Sequence, residues 1–301
     1  MGIPEFGTDF AMQMLIDTKP QYFSDLVRIA GLSHGTDVWL GNAQTLIEQG
    51  IVTLQEAICC RDDIMIYLIK KGVPPDKSFK IMETVRKGKA LKDPAKWEEF
   101  KAIMKEHDVP DWYIKSCEKI KYMFPKAHAA AYVTNAFRIA WFKVHIPKAY
   151  YTAYFTIRAK AFDAEFMIFG KEKVKEKMNE IMMQGNEAAP KDKDMYDDLE
   201  IVLEMYERGI RFLPIDLYKS DATKFKIEDD GIRPPLNSIS GMGNIAAESI
   251  FNAVHEDIPI SSIDNLRKRA KIGNSTTDLL RKFGCLGGLS ESDQVSFFDA
   301  I

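Results

Sequence analysis

The sequence predicts a mainly α protein, in which a large multi-helical region is followed by a small helix-hairpin-helix domain, with a few short strands between them. Three observations favour this fold class. Apolar residues recur at helical spacing through residues 10–208. Glycine and proline separate the periodic segments, as they do between helices. A Gly-Met-Gly turn joins two short apolar segments near residue 242, where glycine permits torsions that other residues resist.

The elements follow in order along the chain. Two short strands are predicted near residues 212–217 and 224–227, in a turn-rich segment that ends at 231–235. A domain boundary is therefore predicted after residue 230, and residues 290–301, which lack periodicity, are interpreted as a tail. Helices are predicted over residues 10–16, 22–30, 42–49, 61–71, 76–87, 95–106, 111–122, 127–146, 148–158, 163–183, 194–208, 263–270 and 275–283.

The composition excludes several classes of protein. Apolar residues make up 46% and charged residues 28% of the 301 residues, which argues against chain-wide disorder, a collagen repeat and a membrane bundle. The four cysteines form no C-x-x-C pair, and the five histidines do not complete a set of zinc ligands. The longest uncharged, helix-compatible stretch, residues 127–137, is about half the ~20 residues that span a bilayer. With no signal-peptide pattern at the start, we expect a soluble, cytoplasmic protein with no membrane partner and no metal bound by this chain.

Charge is unevenly distributed although the formal net charge is only −3. Residues 70–89 hold seven basic and two acidic residues, 115–148 hold seven and one, and 264–282 hold six and two. Residues 186–208 hold three basic and eight acidic residues. Basic blocks separated by an acidic segment are typical of a protein that meets polyanions on one face. The simpler alternative is that each block is a solvated helix face.

The Gly-Met-Gly turn is the strongest local motif. If Met242 points into the core, the backbone N–H groups that follow lie at a helix N-terminus, where the partial positive charge favours a phosphate. Such contacts hold a nucleic-acid backbone without reading sequence. A tight turn with no ligand is the alternative. A second, degenerate hairpin is expected around residues 271–274. The DNA-binding candidates are Gly241, Met242, Gly243, Asn244, Ile245, Arg267, Lys268, Arg269 and Lys271.

Two further segments carry candidate binding residues. The helix over 127–146 is expected to present a core face made of Ala129, Tyr132, Val133, Ala136, Phe137, Ala140, Trp141 and Val144. Its opposite face, which includes His128, either lies against a base pair or triphosphate or simply faces water, and the spacing favours neither. The helix before Gly88 ends in Arg86 and Lys87, which are favoured there by the helix dipole in any protein and equally suit a triphosphate.

Several stretches resemble the C-terminal part of the PolC-type DNA polymerase III alpha subunits, the C-family replicases of low-GC Gram-positive bacteria and their relatives. The resemblance covers essentially the whole chain, thins through 170–230 and returns at the hairpin. It is carried by GIPEFG (2–7), GLSHGTDVWLGN (31–42), CRDDIM (60–65), FKIMETVRKG (79–88) and KYMFPKAHAAAY (121–132).

The resemblance implies three regions. Residues 1–230 would be the polymerase fingers, with 168–230 a variable part that includes the short strands. Residues 231–289 would be a duplex-binding domain, and 290–301 a tail that binds the beta sliding clamp. The fingers would bind the incoming dNTP through Arg86, Lys87, Lys89, Lys126, His128, Ser33 and His34. The clamp-binding residues would be Gln294, Val295, Ser296, Phe297 and Phe298, which depart conservatively from the usual Gln-Leu-Ser/Asp-Leu-Phe pattern.

The same resemblance implies that the catalytic carboxylates are elsewhere. In the family, a palm domain upstream of these motifs holds two Mg²⁺ ions. Asp192 and Asp194 have the spacing of a metal-binding pair but lie in a polar, Lys-rich connector, so we expect no catalytic residue in this chain. Met1 would then be a truncation point of a longer enzyme. This segment alone should not polymerise DNA, and primer-template DNA, dNTP, the clamp and other replisome subunits would be its partners.

Two other functions remain open on the sequence. One is a self-contained, non-catalytic helix-hairpin-helix adaptor with a clamp-docking tail. The other is a structural scaffold whose charged blocks bind protein partners.

Overall fold

The computed structural model describes residues 1–293, and these fall into two compact units, Met1–Ala140 and the part from Trp141 onwards. Across residues 1–293 the protein is mainly α, as predicted, with one small antiparallel sheet. None of the helices in the described residues is both long and apolar enough to cross a membrane.

The first unit is helical throughout. Its core packs Leu32, Ile64, Leu68 and Ile81, each at most 1% exposed, from three different helices. The helices are α1 (Asp9–Thr18), α2 (Phe23–His34), α3 (Gln44–Glu48), α4 (Arg61–Lys70), α5 (Pro75–Arg86), α6 (Pro94–Glu106), α7 (Asp111–Lys119) and α8 (Lys126–His145), within which the division into units falls.

The second unit combines helices with the sheet. An aromatic cluster that includes Phe155, Phe162, Phe212 and Phe225 packs one part of it. The elements are α9 (Pro147–Ile157), α10 (Ala164–Met167), α11 (Lys171–Gln184), α12 (Pro190–Glu207), β1 (Lys226–Glu228), β2 (Gly231–Arg233), α13 (Asn244–Val254), α14 (Ile263–Ala270) and α15 (Asn274–Lys282).

Local chemistry explains why the helix predictions before residue 158 are confirmed. Pro75, Pro94 and Pro147 each occupy the first turn of a helix, where the missing N–H of proline costs nothing. Asp93 caps α6 by accepting a hydrogen bond from the backbone N–H of Lys96. These signals lie within a few residues of the helix starts, so sequence alone locates them.

Three predictions of local structure are wrong. The helix predicted over 163–183 is two helices, because Gly170, with φ 101°, interrupts it. In 212–217 only Phe212 makes a β-bridge, to Ile232, since Pro214 has no N–H to donate. The turn expected at 231–233 is instead strand β2, which is buried and pairs antiparallel with β1.

Two further predictions concern the domain boundary and the region around Asp192 and Asp194. The boundary predicted after residue 230 falls at the turn between β1 and β2 and differs from the division into compact units, so the functional domains stay a prediction. The sequence predicted a polar connector around Asp192 and Asp194. This prediction is wrong, because both residues lie in the first turns of α12.

Candidate nucleic-acid and nucleotide sites

The Gly-Met-Gly turn joins a single 3₁₀ turn, Leu236–Ser238, to α13. Gly241 has φ +87°, a conformation that favours glycine. The Met242 side chain is 6% exposed and belongs to a core cluster that includes Leu236, Ile239 and Ile250. The expected plug is therefore present, although the arm before the turn is much shorter than a helix.

The start of α13 faces solvent. Gly243 is the N-cap residue, and no atom lies within 4 Å of the position that a Cβ would take there. Asn244 and Ile245 are exposed, Ile245 by 85%. Because no side chain caps this helix end, its first backbone N–H groups are available to a ligand.

The same arrangement recurs thirty residues later, at the start of α15. Lys271, with φ 52°, takes the place of Gly241, and Ile272 packs against the same core cluster as Met242. Gly273 is again an N-cap residue with open space where a Cβ would lie. The second hairpin expected from the sequence is therefore a structural repeat of the first turn.

The basic residues beside the second turn divide into two groups. Lys268 and Lys271 are exposed and form no ion pair within the described residues. Arg269 donates hydrogen bonds to the carbonyl oxygens of Ala253 (2.6 Å) and Ile258 (2.7 Å) and pairs with Glu256. Arg267 pairs with Asp264 at 3.4 Å. Arg269 joins α14 to the segment around residues 253–258, and Arg267 is paired within its own helix, so both are less available to DNA than the lysines.

In the first unit, Arg86 and Lys87 share one carboxylate partner. Glu83 accepts two hydrogen bonds from the Arg86 guanidinium, and its other contact is the Lys87 ammonium, at 2.7 Å. These hydrogen bonds lower the pKa of Glu83 to about 2. Lys89 is exposed and forms no ion pair within residues 1–293. Glu83 precedes Arg86 by three residues and Lys87 by four. Residues at these spacings are neighbours on a helix surface, so the sequence itself identifies Glu83 as their partner.

Lys87 also lines a cleft of about 660 Å³, the Lys87 cleft, together with Asp37, Leu40, Gly88 and Lys121. Asp37 and Leu40 belong to the 32–42 stretch, which lies within the GLSHGTDVWLGN motif that carries the resemblance and which contains the nucleotide candidates Ser33 and His34. Asn42, 2% exposed, anchors this stretch by donating to the carbonyl oxygens of Asp37 (3.0 Å) and Ser116 (3.2 Å). The structure thus brings part of that stretch beside Lys87.

Both candidate histidines lie in one row of rings. The ring centroids of His34 and Phe124 are 5.4 Å apart, those of Phe124 and His128 are 4.8 Å apart, and those of His128 and Tyr132 are 4.3 Å apart. His34 also contacts the carboxylate of Glu5. The planes of successive rings are tilted by 49°, 44° and 32°. The row therefore offers separate aromatic faces and hydrogen-bonding nitrogens, which suit a nucleobase.

The remaining two nucleotide candidates, Lys126 and Ser33, already form hydrogen bonds within the protein. The Lys126 ammonium donates to Asp63 at 3.2 Å, and its backbone N–H donates to Asp62 at 2.7 Å, so carboxylates already occupy the start of α8. Ser33 donates to the carbonyl oxygen of Ala30 in its own helix. The sequence analysis missed Asp62 and Asp63, which are acidic residues in the first turn of α4.

The core face predicted for α8 is only partly right. Ala129, Val133 and Ala136 are buried, at 3% or less. The large residues of the same stripe are exposed, with Tyr132 at 49% and Phe137 at 52%. Trp141 and Val144 are also exposed, at 48% and 64%. Helical periodicity identified this stripe of apolar residues, but only some of its smaller residues are buried.

The described residues offer no metal centre. No group of three His, Cys, Asp or Glu side chains within 1–293 is close enough to hold a metal ion. Asp194 pairs with Lys160 at 3.1 Å on the surface of α12. A two-metal site is therefore not formed by these side chains.

Two protein-family models match separate parts of the chain. Residues 1–108 match the bacterial DNA polymerase III alpha subunit finger domain, and residues 209–295 match a helix-hairpin-helix motif. The chain thus combines a finger domain of the kind found in bacterial DNA polymerase III alpha subunits with a helix-hairpin-helix motif. Along 99% of its length it is 55% identical to the DNA polymerase III PolC-type of Clostridium perfringens and 54% identical to that of Bacillus subtilis. The PolC-type protein of Thermotoga petrophila is 49% identical over 298 residues.

The chain therefore corresponds to a segment of the PolC-type DNA polymerase III alpha subunits, which confirms the resemblance. It spans about a fifth of the length of these relatives.

Proposed function

We propose that this chain is the nucleotide- and duplex-handling segment of a replicative, DNA-directed DNA polymerase. The observation that carries the proposal is the pair of equivalent turns at Gly241–Asn244 and Lys271–Asn274. Each has a core-facing apolar plug and an exposed helix N-terminus. Two such turns offer two backbone phosphate contacts from one rigid unit. Similarity to polymerases along nearly the whole chain favours the replicase over a self-contained adaptor.

In this proposal the first unit binds the incoming dNTP. Lys87 and Lys89 follow α5, and the histidine row supplies aromatic faces for the base. Glu83 orients Arg86 and Lys87 in the absence of nucleotide, and triphosphate oxygens would compete with its carboxylate for the same cations. The Lys87 cleft supports this role in dNTP binding, because Lys87 and residues of the 32–42 stretch line it together.

Catalysis is proposed to depend on parts of the polymerase outside this chain. The Mg²⁺ ions of the full enzyme would be held by carboxylates that the described residues do not provide. The clamp-binding residues Gln294 to Phe298 lie outside the described residues. Their role in binding the beta sliding clamp, the other replisome partners and the cytoplasmic location stay predictions.

Duplex binding by the 301-residue chain tests the central claim. A labelled primer-template duplex is titrated at several salt concentrations, and we expect a steep loss of affinity with salt. Gly243→Glu places a carboxylate at an open position beside the proposed phosphate. This change should weaken duplex binding about tenfold or more. Asn252→Glu makes a similar charge change at the exposed far end of the same helix and serves as the control. Equal affinities for the two variants would contradict the hairpin assignment.

A further inference from the structure

A second cleft in the first unit, which we call the Trp112 cleft, shares only Lys126 with the proposed sites. It has a volume of about 430 Å³, and its wall includes Arg28 of α2, Tyr67 and Lys70 of α4, and Trp112 and Tyr113 of α7. Clefts of this size accommodate small molecules such as a single nucleotide. Lys126 touches one edge, but the other proposed dNTP residues do not line it.

The wall of the cleft contains three cations, Arg28, Lys70 and Lys126, against two carboxylates, Glu56 and Asp63. Arg28 and Lys70 form no ion pair within residues 1–293. The two carboxylates in the wall are already engaged. Glu56 accepts hydrogen bonds from the backbone N–H and hydroxyl of Thr53 (2.8 and 2.9 Å). Asp63 accepts from the backbone N–H groups of residues 59 and 60 and from Lys126. Arg28 contacts the Cys59 sulfur at 3.9 Å, and sulfur is a weak acceptor that an anion would displace. Arg28 and Lys70 are therefore available to bind an anion.

Aromatic rings form the opposite part of the wall. The rings of Tyr67 and Tyr113 are stacked, with centroids 4.2 Å apart and planes 14° apart. Trp112 meets Tyr113 edge-on at 5.3 Å. The Tyr113 hydroxyl is fully buried and has no hydrogen-bond partner among the described residues, although buried hydroxyls are usually paired. These packed rings are held in place before any ligand arrives.

We propose that the Trp112 cleft binds one unpaired nucleotide unit, with its base against Tyr67 and Trp112 and its phosphate on Arg28 and Lys70. Aromatic rings beside free cations are the usual elements of sites for single-stranded nucleic acid, because unstacked bases offer a free face. Bases in a duplex offer no free face, because they are stacked on their neighbours. The inference rests on the proposed function only in taking nucleic acid as the partner, and it requires neither hairpin turn. The unit belongs either to a single strand or to a free nucleotide.

The test uses the 301-residue chain and labelled (dT)₁₂, with dTMP as a second ligand. The double variant Arg28→Gln, Lys70→Gln should bind (dT)₁₂ about tenfold or more weakly. Lys77→Gln, Lys105→Gln removes two other exposed, unpaired lysines outside the cleft, and it should change affinity less than about threefold. Ligand should quench tryptophan fluorescence in the wild type. Trp112→Leu, checked for an unchanged melting temperature, should lose that quenching.

The outcomes distinguish a single strand from a free nucleotide as the ligand, and they test the cleft separately from the hairpin turns. Cleft-dependent binding of (dT)₁₂ without dTMP binding assigns the site to a strand, and comparable cleft-dependent binding of dTMP assigns it to a free nucleotide. Equal (dT)₁₂ affinity for the two double variants, or quenching that survives in Trp112→Leu, would overturn the proposal. Gly243→Glu should leave (dT)₁₂ binding unchanged while weakening duplex binding. Duplex binding therefore tests the hairpin assignment, and (dT)₁₂ binding tests the cleft proposal independently of it.

Discussion

Gly88 lies so close to Lys121 that a Cβ atom on Gly88 would be 2.6 Å from the Lys121 carbonyl oxygen. Gly88 also has φ +61°. This contact holds the turn after α5 against the segment before α8, so it sets the position of Lys87 relative to Lys121 in the Lys87 cleft.

We therefore expect Gly88→Ala to lower the free energy of unfolding by about 2 kcal/mol or more, through backbone strain together with the close contact. Gly50→Ala is the matched control, because Gly50 has φ +68° but open space where its Cβ would lie. It should cost about 1 kcal/mol from the backbone alone. Chemical denaturation measures both, and equal losses would show that the contact with Lys121 does not matter.

The division among the basic residues of the second turn predicts two different phenotypes. Lys268→Gln with Lys271→Gln should weaken duplex binding and reduce the slope of log affinity against log salt by about two, with stability unchanged. Arg269→Gln should instead destabilise the protein by about 2 kcal/mol, because it removes hydrogen bonds from a charged donor. Anisotropy and thermal unfolding separate the two effects. A loss of duplex affinity in Arg269→Gln without destabilisation would contradict this division.

Asp198 predicts a pH dependence of stability. It is 2% exposed, and burial raises its pKa to about 6, although it accepts hydrogen bonds from the backbone N–H groups of Lys160 and Ala161. Because the folded protein binds this proton more tightly than the unfolded chain, the contribution of Asp198 is most favourable below about pH 4. It is lost as the pH rises from there to about 6.

Asp198→Asn should remove this part of the pH dependence, as measured by melting temperature between pH 4 and 7. Asp257→Asn changes an exposed aspartate that does not contribute to the raised pKa of Asp198, so it should retain the pH dependence. Identical pH profiles for wild type and Asp198→Asn would exclude the residue as the source.

The tail makes a prediction that depends on sequence alone. Replacing Phe297 and Phe298 by alanine should weaken binding to a bacterial beta sliding clamp by tenfold or more, because aromatic anchors carry most of the energy of such short contacts. Surface plasmon resonance with immobilised clamp measures the change. Ser292→Ala, just before the motif, is the control, and binding that survives the double alanine change would remove the tail from the interface.

Much of the fold follows from local patterns. Helical periodicity, N-terminal prolines and the capping Asp93 predicted the helices before residue 158. The spacing of Gly241 and Gly243 around Met242 predicted the first turn and its buried plug. In each case the physical cause lies within one or two helical turns, so a short stretch of sequence contains it.

The tertiary structure decided which residues are free to act. The sequence could not show that Asp63 neutralises Lys126, since the partners are 63 residues apart. Nor could it show that Arg269 binds carbonyl oxygens while Lys271 stays exposed, or that Tyr132 in an apolar stripe is half exposed. The sequence by itself determined the helices before residue 158 and the two turns, because these depend on local spacing, and its resemblance to known polymerases indicated the family. Ion pairing and burial depend on distant segments meeting, so only the folded chain settles them.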